Sequence, residues 1–408
     1  MDLIRDQYEA FPYPARDPAE EDRRLVTGSP SHLAEIDHYL FGGRRDWSKP
    51  FRALIAGGGT GDGCIQLAQH LAWTGTPAEI VYLDLSTASR KIAEARAARR
   101  GLDSIRFETG SLLDAPSLGK FDYIDCCGVL HHLPEPARGL SALRQCLAPS
   151  GGLGLMLYGR LGRSGVYEAQ TILKEVAPVS EPAAKRLEQA RRLLGSLPPT
   201  NALKRNPFVA DHLNGGEAGL FDLLLNPIDQ AYTVPEIFTL LDGADLRHVS
   251  FIAPARYAPE TYLGEAFPQL KALTPEKRGA IAEMVAGNLK THVFYAAPKD
   301  GSAATALYAP DLTPVLREPI AEALARAIAQ SGRLGGSFDG FRLSVPMPPL
   351  APAIIRSIDG RTTVEELAQG LRKAGTSREQ AGKEIAETLA RLIALNLACF
   401  SHASVART

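Results

Sequence analysis

Five short apolar runs, each separated from the next by a stretch of helical character, fill residues 51–158 and leave this chain few folds to choose from. Strands divided by helices cannot pair as hairpins; they cross over and lie side by side, building a parallel sheet with helices on both faces. The runs are Ala53-Leu54-Ile55-Ala56, Ile80-Val81-Tyr82-Leu83, Ile105-Arg106-Phe107, Tyr123-Ile124-Asp125-Cys126 and Leu153-Gly154-Leu155-Met156-Leu157. His248-Val249-Ser250-Phe251-Ile252 and His292-Val293-Phe294-Tyr295 extend the pattern to seven strands. Ser86 stands where it can cap a helix over 86–100.

With 408 residues the chain exceeds what one core serves, which predicts at least two domains. Residues 51–299 form the α/β domain. Its segment 160–246 is far too long for an ordinary connection and reads as a helical insertion over the carboxyl ends of the strands. Residues 1–50 precede it as a segment with a helix. The small, polar run Gly301-Ser302-Ala303-Ala304 marks a linker over 300–312. Residues 313–408 form a smaller, mainly helical domain, with helical periodicity at 314–330, 362–373 and 380–397 and a strand or wing at 338–345.

Lys and Arg total 45 against 46 Asp and Glu, so no overall basic field draws in nucleic acid. Five cysteines without C-x-x-C spacing support neither a disulfide framework nor a zinc site, and the expected address is the cytoplasm. A cationic start followed by an apolar run is absent, as is any apolar stretch of about 18 residues; no signal peptide and no membrane span are expected. No metal site is expected either, because His131-His132 lacks helix-face spacing and no carboxylate cluster accompanies it. A serine hydrolase is excluded by the lack of a G-x-S-x-G elbow.

The first strand runs into Gly57-Gly58-Gly59-Thr60-Gly61-Asp62-Gly63, a turn whose bare backbone lets a ligand approach closely. Asp84 ends the second strand, where a carboxylate accepts from both hydroxyls of a ribose. These two features fit a dinucleotide as well as any other adenosine ligand.

The wider set is more specific. Leu54-Ile55-Ala56-Gly57-Gly58-Gly59-Thr60-Gly61, Tyr82-Leu83-Asp84-Leu85-Ser86, Gly110-Ser111-Leu112-Leu113-Asp114, Phe121 to Leu133 and Leu147-Ala148-Pro149-Ser150-Gly151-Gly152 resemble, in order and spacing, the motifs of class I S-adenosylmethionine-dependent methyltransferases, of the bacterial type 11/12 subgroup. The resemblance implies a Rossmann-like seven-stranded domain and S-adenosylmethionine as cofactor. By position, Gly57, Gly58, Gly59 and Gly61 should face its methionine part and Asp84 its ribose, with Leu85 beside it. Ser111 and Leu112 should flank the adenine, while Cys127, Gly128 and His132 face the sulfonium region. The chain departs from the pattern twice: Ile55 stands where many members carry an acid, and Ser111 replaces the usual aspartate at the adenine.

Gln7-Tyr8-Glu9-Ala10-Phe11-Pro12-Tyr13-Pro14 is similar to segments that precede the core in this subgroup, and so is 226–235. Tyr8 and Tyr13 are expected to fold over the cofactor as a lid. His132, Tyr158 and Tyr232 are the candidates for the catalytic side, with His131 as readily packed. Residues 350–400 resemble a winged-helix unit of the kind found in peptide-recognition domains and in tails of some protein-lysine methyltransferases. Balanced charge over 376–397 disfavours DNA there.

The function that follows is methyl transfer to an undetermined nitrogen or oxygen acceptor, with a protein or peptide side chain presented by the C-terminal domain as one option. A small metabolite is another. A cofactor-binding regulator with weak or no turnover is the reading left open by Ile55. The long amphipathic stretch near the C-terminus permits a homodimer.

Overall fold

The computed structural model describes residues 3–317 and 320–401, so the ends of the 1–50 and 313–408 segments lie outside the described residues. Eight strands form the central sheet: β1 (Phe51–Ala56), β2 (Ala78–Asp84), β3 (Ile105–Thr109), β4 (Phe121–Cys127), β5 (Leu147–Gly159), β6 (Ala231–Tyr232), β7 (Leu246–Phe251) and β8 (Thr291–Pro298). Their order is β3-β2-β1-β4-β5-β8-β7, with β6 paired beside the end of β5. All seven expected strands are present. Two details differ: β6 is a two-residue addition too short to leave a periodic signal, and β8 runs antiparallel to both its neighbours.

Alternation along the strands builds two cores. Leu54, Val81, Ile124 and Leu155 pack on one face, whereas Ala53, Ile55, Tyr82, Tyr123 and Tyr295 pack on the other. From β1 the chain winds outward to β2 and β3, then returns to β4 on β1's other side. That reversal opens a crevice at the carboxyl ends of β1 and β4, the place where α/β sheets bind ligands.

Between β5 and β7 the chain runs through the helices Val166–Val176, Ala183–Ser196 and Gly216–Leu224, among shorter ones, which enclose their own core around Leu173, Leu187 and Leu220. Phe11 stacks on Phe221 with ring centres 4.9 Å apart, joining the N-terminal segment to this insertion.

Beyond residue 312 lie β9 (Thr313–Leu316), β10 (Arg333–Phe338), β11 (Phe341–Pro346) and β12 (Ala398–Ser401). β9 pairs with β12, and β10 with β11 as a hairpin. The hairpin turns at Asp339-Gly340, both with positive φ, as a two-residue loop demands. Four helices, Ala321–Ser331, Ala351–Arg356, Val364–Lys373 and Arg378–Ala394, pack with these strands around Ile355, Leu367, Ile385 and Leu389. The segment 300–312 does not hang free. Ala304 and Ala306 donate their amides to the Leu40 and His38 carbonyls at 3.1 and 2.7 Å, so it runs along helix Leu33–Leu40.

That helix is one place where the C-terminal elements meet the rest of the chain; Arg256 pairs with Asp339, and the Asn288 amide donates to the Phe338 and Asp339 carbonyls, at another. The Asn396 amide donates to the buried Glu35 at 2.8 Å, and Ser401 Oγ donates to Asp37 at 2.8 Å. Among the described residues no helix is long and apolar enough to cross a membrane, and no group of three or more His, Cys, Asp or Glu could hold a metal.

Candidate functional site

A cavity of about 390 Å³ opens at the carboxyl ends of β1, β2 and β4. Its floor is the glycine turn. Gly58 admits no side chain, because a methyl group there would lie 2.2 Å from the Tyr82 ring. Gly57 has φ +79° and would meet Val129 at 2.3 Å. These two glycines are therefore demanded by the packing of β2 and the β4 loop, and the bare backbone they leave is what a ligand meets. The Tyr82 hydroxyl donates to the Gly59 carbonyl at 2.6 Å and locks the turn.

Asp84 stands at the tip of β2 and accepts from the amides of Gly59 at 2.7 Å and Ser86 at 2.8 Å. Burial pushes its carboxyl up, and these two amides oppose that push. Each oxygen keeps a further lone pair for a ligand hydroxyl. Leu85, Ser111 and Leu112 line the wall beside it. The Ser111 hydroxyl caps the turn that follows, accepting from the Leu113 amide at 3.1 Å.

The roof is the N-terminal segment, and it is anchored at several points. Glu9 accepts from the amides of Thr87 and Ala88 at 2.5 and 3.1 Å, capping helix Thr87–Arg100 from outside it. Ser86 donates to the Tyr8 carbonyl at 3.0 Å and Thr60 to the Pro14 carbonyl at 2.7 Å. Arg16 pairs with Asp62 at 2.6 Å, and Arg96 reaches the same carboxylate at 2.7 Å. Burial raises the Asp62 carboxyl, but the two arginines outweigh it and hold it below the usual range. Tyr8 and Tyr13 both line the cavity from this roof.

At one end of the cavity lies Asp125 on β4, the direct register partner of Ile55 on β1. It accepts from Ser31 Oγ, and burial pushes its carboxyl up to about 6. Toward the insertion the cavity ends at Asp222. Tyr8 donates its hydroxyl to one Asp222 oxygen at 2.9 Å and Tyr158 donates to the other at 3.2 Å. Arg163 lies over the Tyr158 ring at 3.7 Å and pairs with the buried Asp229 at 2.8 Å. His132 Nδ1 faces the Ile228 carbonyl at 2.7 Å; a carbonyl only accepts, so Nδ1 carries a proton, and in the neutral ring the lone pair is on Nε2.

One cavity thus gathers Tyr8, Tyr13, Gly57, Gly58, Gly59, Gly61, Asp84, Leu85, Ser111, Leu112, Cys127, Gly128, His132 and Tyr158. Tyr232, expected on the catalytic side, does not line the cavity. β6 zips onto the end of β5, so the Tyr232 carbonyl takes the Arg160 amide at 3.0 Å and its ring packs against the sheet core. His131 is packed, stacked on Tyr158 at 3.9 Å, and burial holds it well below the ordinary histidine range. Asp125 and Asp222 escaped notice in the sequence. Both were visible as acids interrupting apolar runs, Tyr123-Ile124-Asp125-Cys126 and Leu220-Phe221-Asp222-Leu223, where burying a charge needs a reason.

Residues 54–153 match a protein-family model described as a methyltransferase domain. An uncharacterised protein of Synechococcus is 29% identical over 263 residues, a match covering 64% of this chain and 62% of that relative's length. A highly reducing polyketide synthase of Fusarium pseudograminearum is 32% identical over 117 residues, covering 27% of this chain and 4% of the synthase. Among solved structures, PKMT2 from Rickettsia typhi in complex with S-adenosylhomocysteine is 13% identical with a TM-score of 0.63, over 91% of this chain and 75% of that one, which makes it a relative in fold. The glycine floor and the carboxylate at the tip of β2 suit the cofactor that the ordered motifs imply. Residues 54–153 thus match the methyltransferase-domain family, and the chain shares its fold with a structure that holds S-adenosylhomocysteine.

Proposed function

We propose that this protein transfers a methyl group from S-adenosylmethionine to a nitrogen or oxygen nucleophile on a protein or peptide. The observation that carries the transfer is the joining of a cofactor cradle and a proton-accepting imidazole in one cavity. Asp84 would hold the ribose hydroxyls, and the amides of the glycine turn would face the methionine carboxylate. Asp125 would take the ammonium of the same ligand, supplying from β4 the acid that β1 lacks at Ile55. That substitution favours a working enzyme over a regulator without turnover. Leu85 and Leu112 would sandwich the adenine, with Ser111 at its edge.

When bound, the cofactor supplies an electrophilic methyl carbon on a sulfonium. The chain has to position a nucleophile in line with it, accept a proton and exclude water. Tyr8 and Tyr13 would do the excluding, since hydrogen bonds on both sides of the glycine turn hold their segment over the cavity. His132 is fixed by Ile228 in the tautomer that accepts a proton on Nε2.

The C-terminal domain would present the substrate. Its three consecutive helices, Ala351–Arg356, Val364–Lys373 and Arg378–Ala394, and its β10–β11 hairpin support the winged-helix reading. The test is transfer of tritiated methyl from S-adenosylmethionine into a lysate of the source cell. Label in the protein fraction that disappears with Asp84→Ala is expected; label confined to small molecules would replace the protein acceptor with a metabolite.

A further inference from the structure

We infer that the acceptor is an aliphatic amine, bound as its ammonium at Asp222 beside the hydroxyls of Tyr8 and Tyr158. This rests on the methyl-transfer reading and narrows it to a substrate class.

Four carboxylates line the cavity: Asp62, Asp84, Asp125 and Asp222. Asp62 is neutralised by Arg16 and Arg96. Among the described residues the other three have no ion-pair partner. The cofactor's ribose and ammonium account for Asp84 and Asp125. Asp222 is left over, 5% exposed, with only two phenol hydroxyls and the Asn226 amide at 3.5 Å around it. A buried carboxylate without a counter-ion is costly unless a cation joins it.

The hydrogen-bond inventory of this corner says what kind of cation. Tyr8 and Tyr158 each spend their one O–H on Asp222, so toward a ligand their oxygens offer lone pairs only. His132 spends its Nδ1 proton on Ile228 and likewise offers a lone pair. Asp222, Tyr8, Tyr158 and His132 therefore present acceptors and no free donor. A carboxylate or phosphate acceptor would meet repulsion here, and an alcohol brings one proton where several acceptors wait. An alkylammonium brings three, and its charge suits the Asp222 carboxylate. The Tyr8 and His132 rings lie 6.3 Å apart, and His132 and Tyr158 5.7 Å, so the imidazole borders the same corner.

The step balances with these residues. One ammonium proton passes to His132 Nε2, and the freed nitrogen lone pair forms the bond to the methyl carbon. The carbon–sulfur bond breaks with its electron pair on sulfur, and the product leaves as a methylated ammonium.

The test uses the full chain saturated with S-adenosylhomocysteine and titrated, by ligand-observed NMR, with n-butylamine, 1-butanol and butyrate. Butylamine should bind, and butanol and butyrate should not. Asp222→Asn should weaken butylamine by about tenfold or more while still binding S-adenosylhomocysteine, and Asp222→Glu should recover part of the loss. Butylamine binding no better than butanol to the native chain overturns the inference without any variant. So does an Asp222→Asn chain that holds butylamine normally, or one that loses S-adenosylmethionine but not S-adenosylhomocysteine, which would give Asp222 to the sulfonium. Failure of the native chain to bind S-adenosylhomocysteine would instead bring down the methyl-transfer reading itself.

Discussion

Asp125 is the residue through which pH should reach the site. Its folded carboxyl sits at about 6, raised by burial, against about 3.9 in an unfolded chain. The folded protein therefore holds this proton more tightly between the two values. The contribution favours folding below the unfolded value and is lost as pH rises through 6. Asp125→Asn removes that loss, so the ligand-free variant should melt higher than the native chain at pH 8, with the difference shrinking toward pH 4.5. Ligand binding should show the opposite face of the same group. S-adenosylhomocysteine affinity should rise from pH 5 to 7 as Asp125 ionises, whereas in Asp125→Asn it should be flat and about tenfold or more weaker at pH 7. Methylthioadenosine, which lacks the ammonium, should bind both alike, and calorimetry at each pH checks all three. At this scale the position of Asp84 beside the glycine turn was legible in the motif spacing. That of Asp125 was not, because only strand register shows that this acid lies directly across from Ile55 on β4.

Among the elements, the N-terminal segment carries the sharpest expectation. Its residues 3–16 include the eight-residue helix Leu3–Ala10, and Glu9, Tyr8, Pro14 and Arg16 each bond across to the glycine turn or to the start of helix Thr87–Arg100. Removing residues 1–14 should leave the sheet folded, since its core residues lie elsewhere. The same deletion should cut S-adenosylhomocysteine affinity by about tenfold or more, through loss of the water-excluding wall. A truncated chain that binds as tightly as the full one would reduce this segment to surface packing. The roof was readable in Tyr8 and Tyr13 because aromatic and proline residues at a chain end need something to pack on. Tyr232 lies apart from the cavity lining for the converse reason. β6 is two residues long, and its pairing with β5 at Tyr158 and Gly159 is a tertiary event that packs the half-buried tyrosine against the sheet core.

Across the whole molecule, separate cores form on the two faces of the sheet, within residues 166–225 and within residues 306–400, and helix Leu33–Leu40 touches the last of these through Glu35 and Asp37. The alternation of strands and helices made the sheet legible from residues alone, since each element announces itself by local periodicity. The junction was not legible. Glu35 is fully buried by Ser29, Tyr295, Asn396 and Arg317, partners drawn from across the chain. Ser29 also lines the cavity, so the contact with the C-terminal domain begins one side chain away from the cofactor's place. Everything proposed for that cavity depends on one ligand entering it. The most direct measurement is isothermal titration of the full chain with S-adenosylmethionine, S-adenosylhomocysteine and NAD, repeated on Asp84→Ala. Both adenosyl ligands should bind, NAD should not, and the variant should lose about tenfold or more in affinity for each. NAD binding in their place, or no adenosyl binding at all, would contradict the methyl-transfer reading.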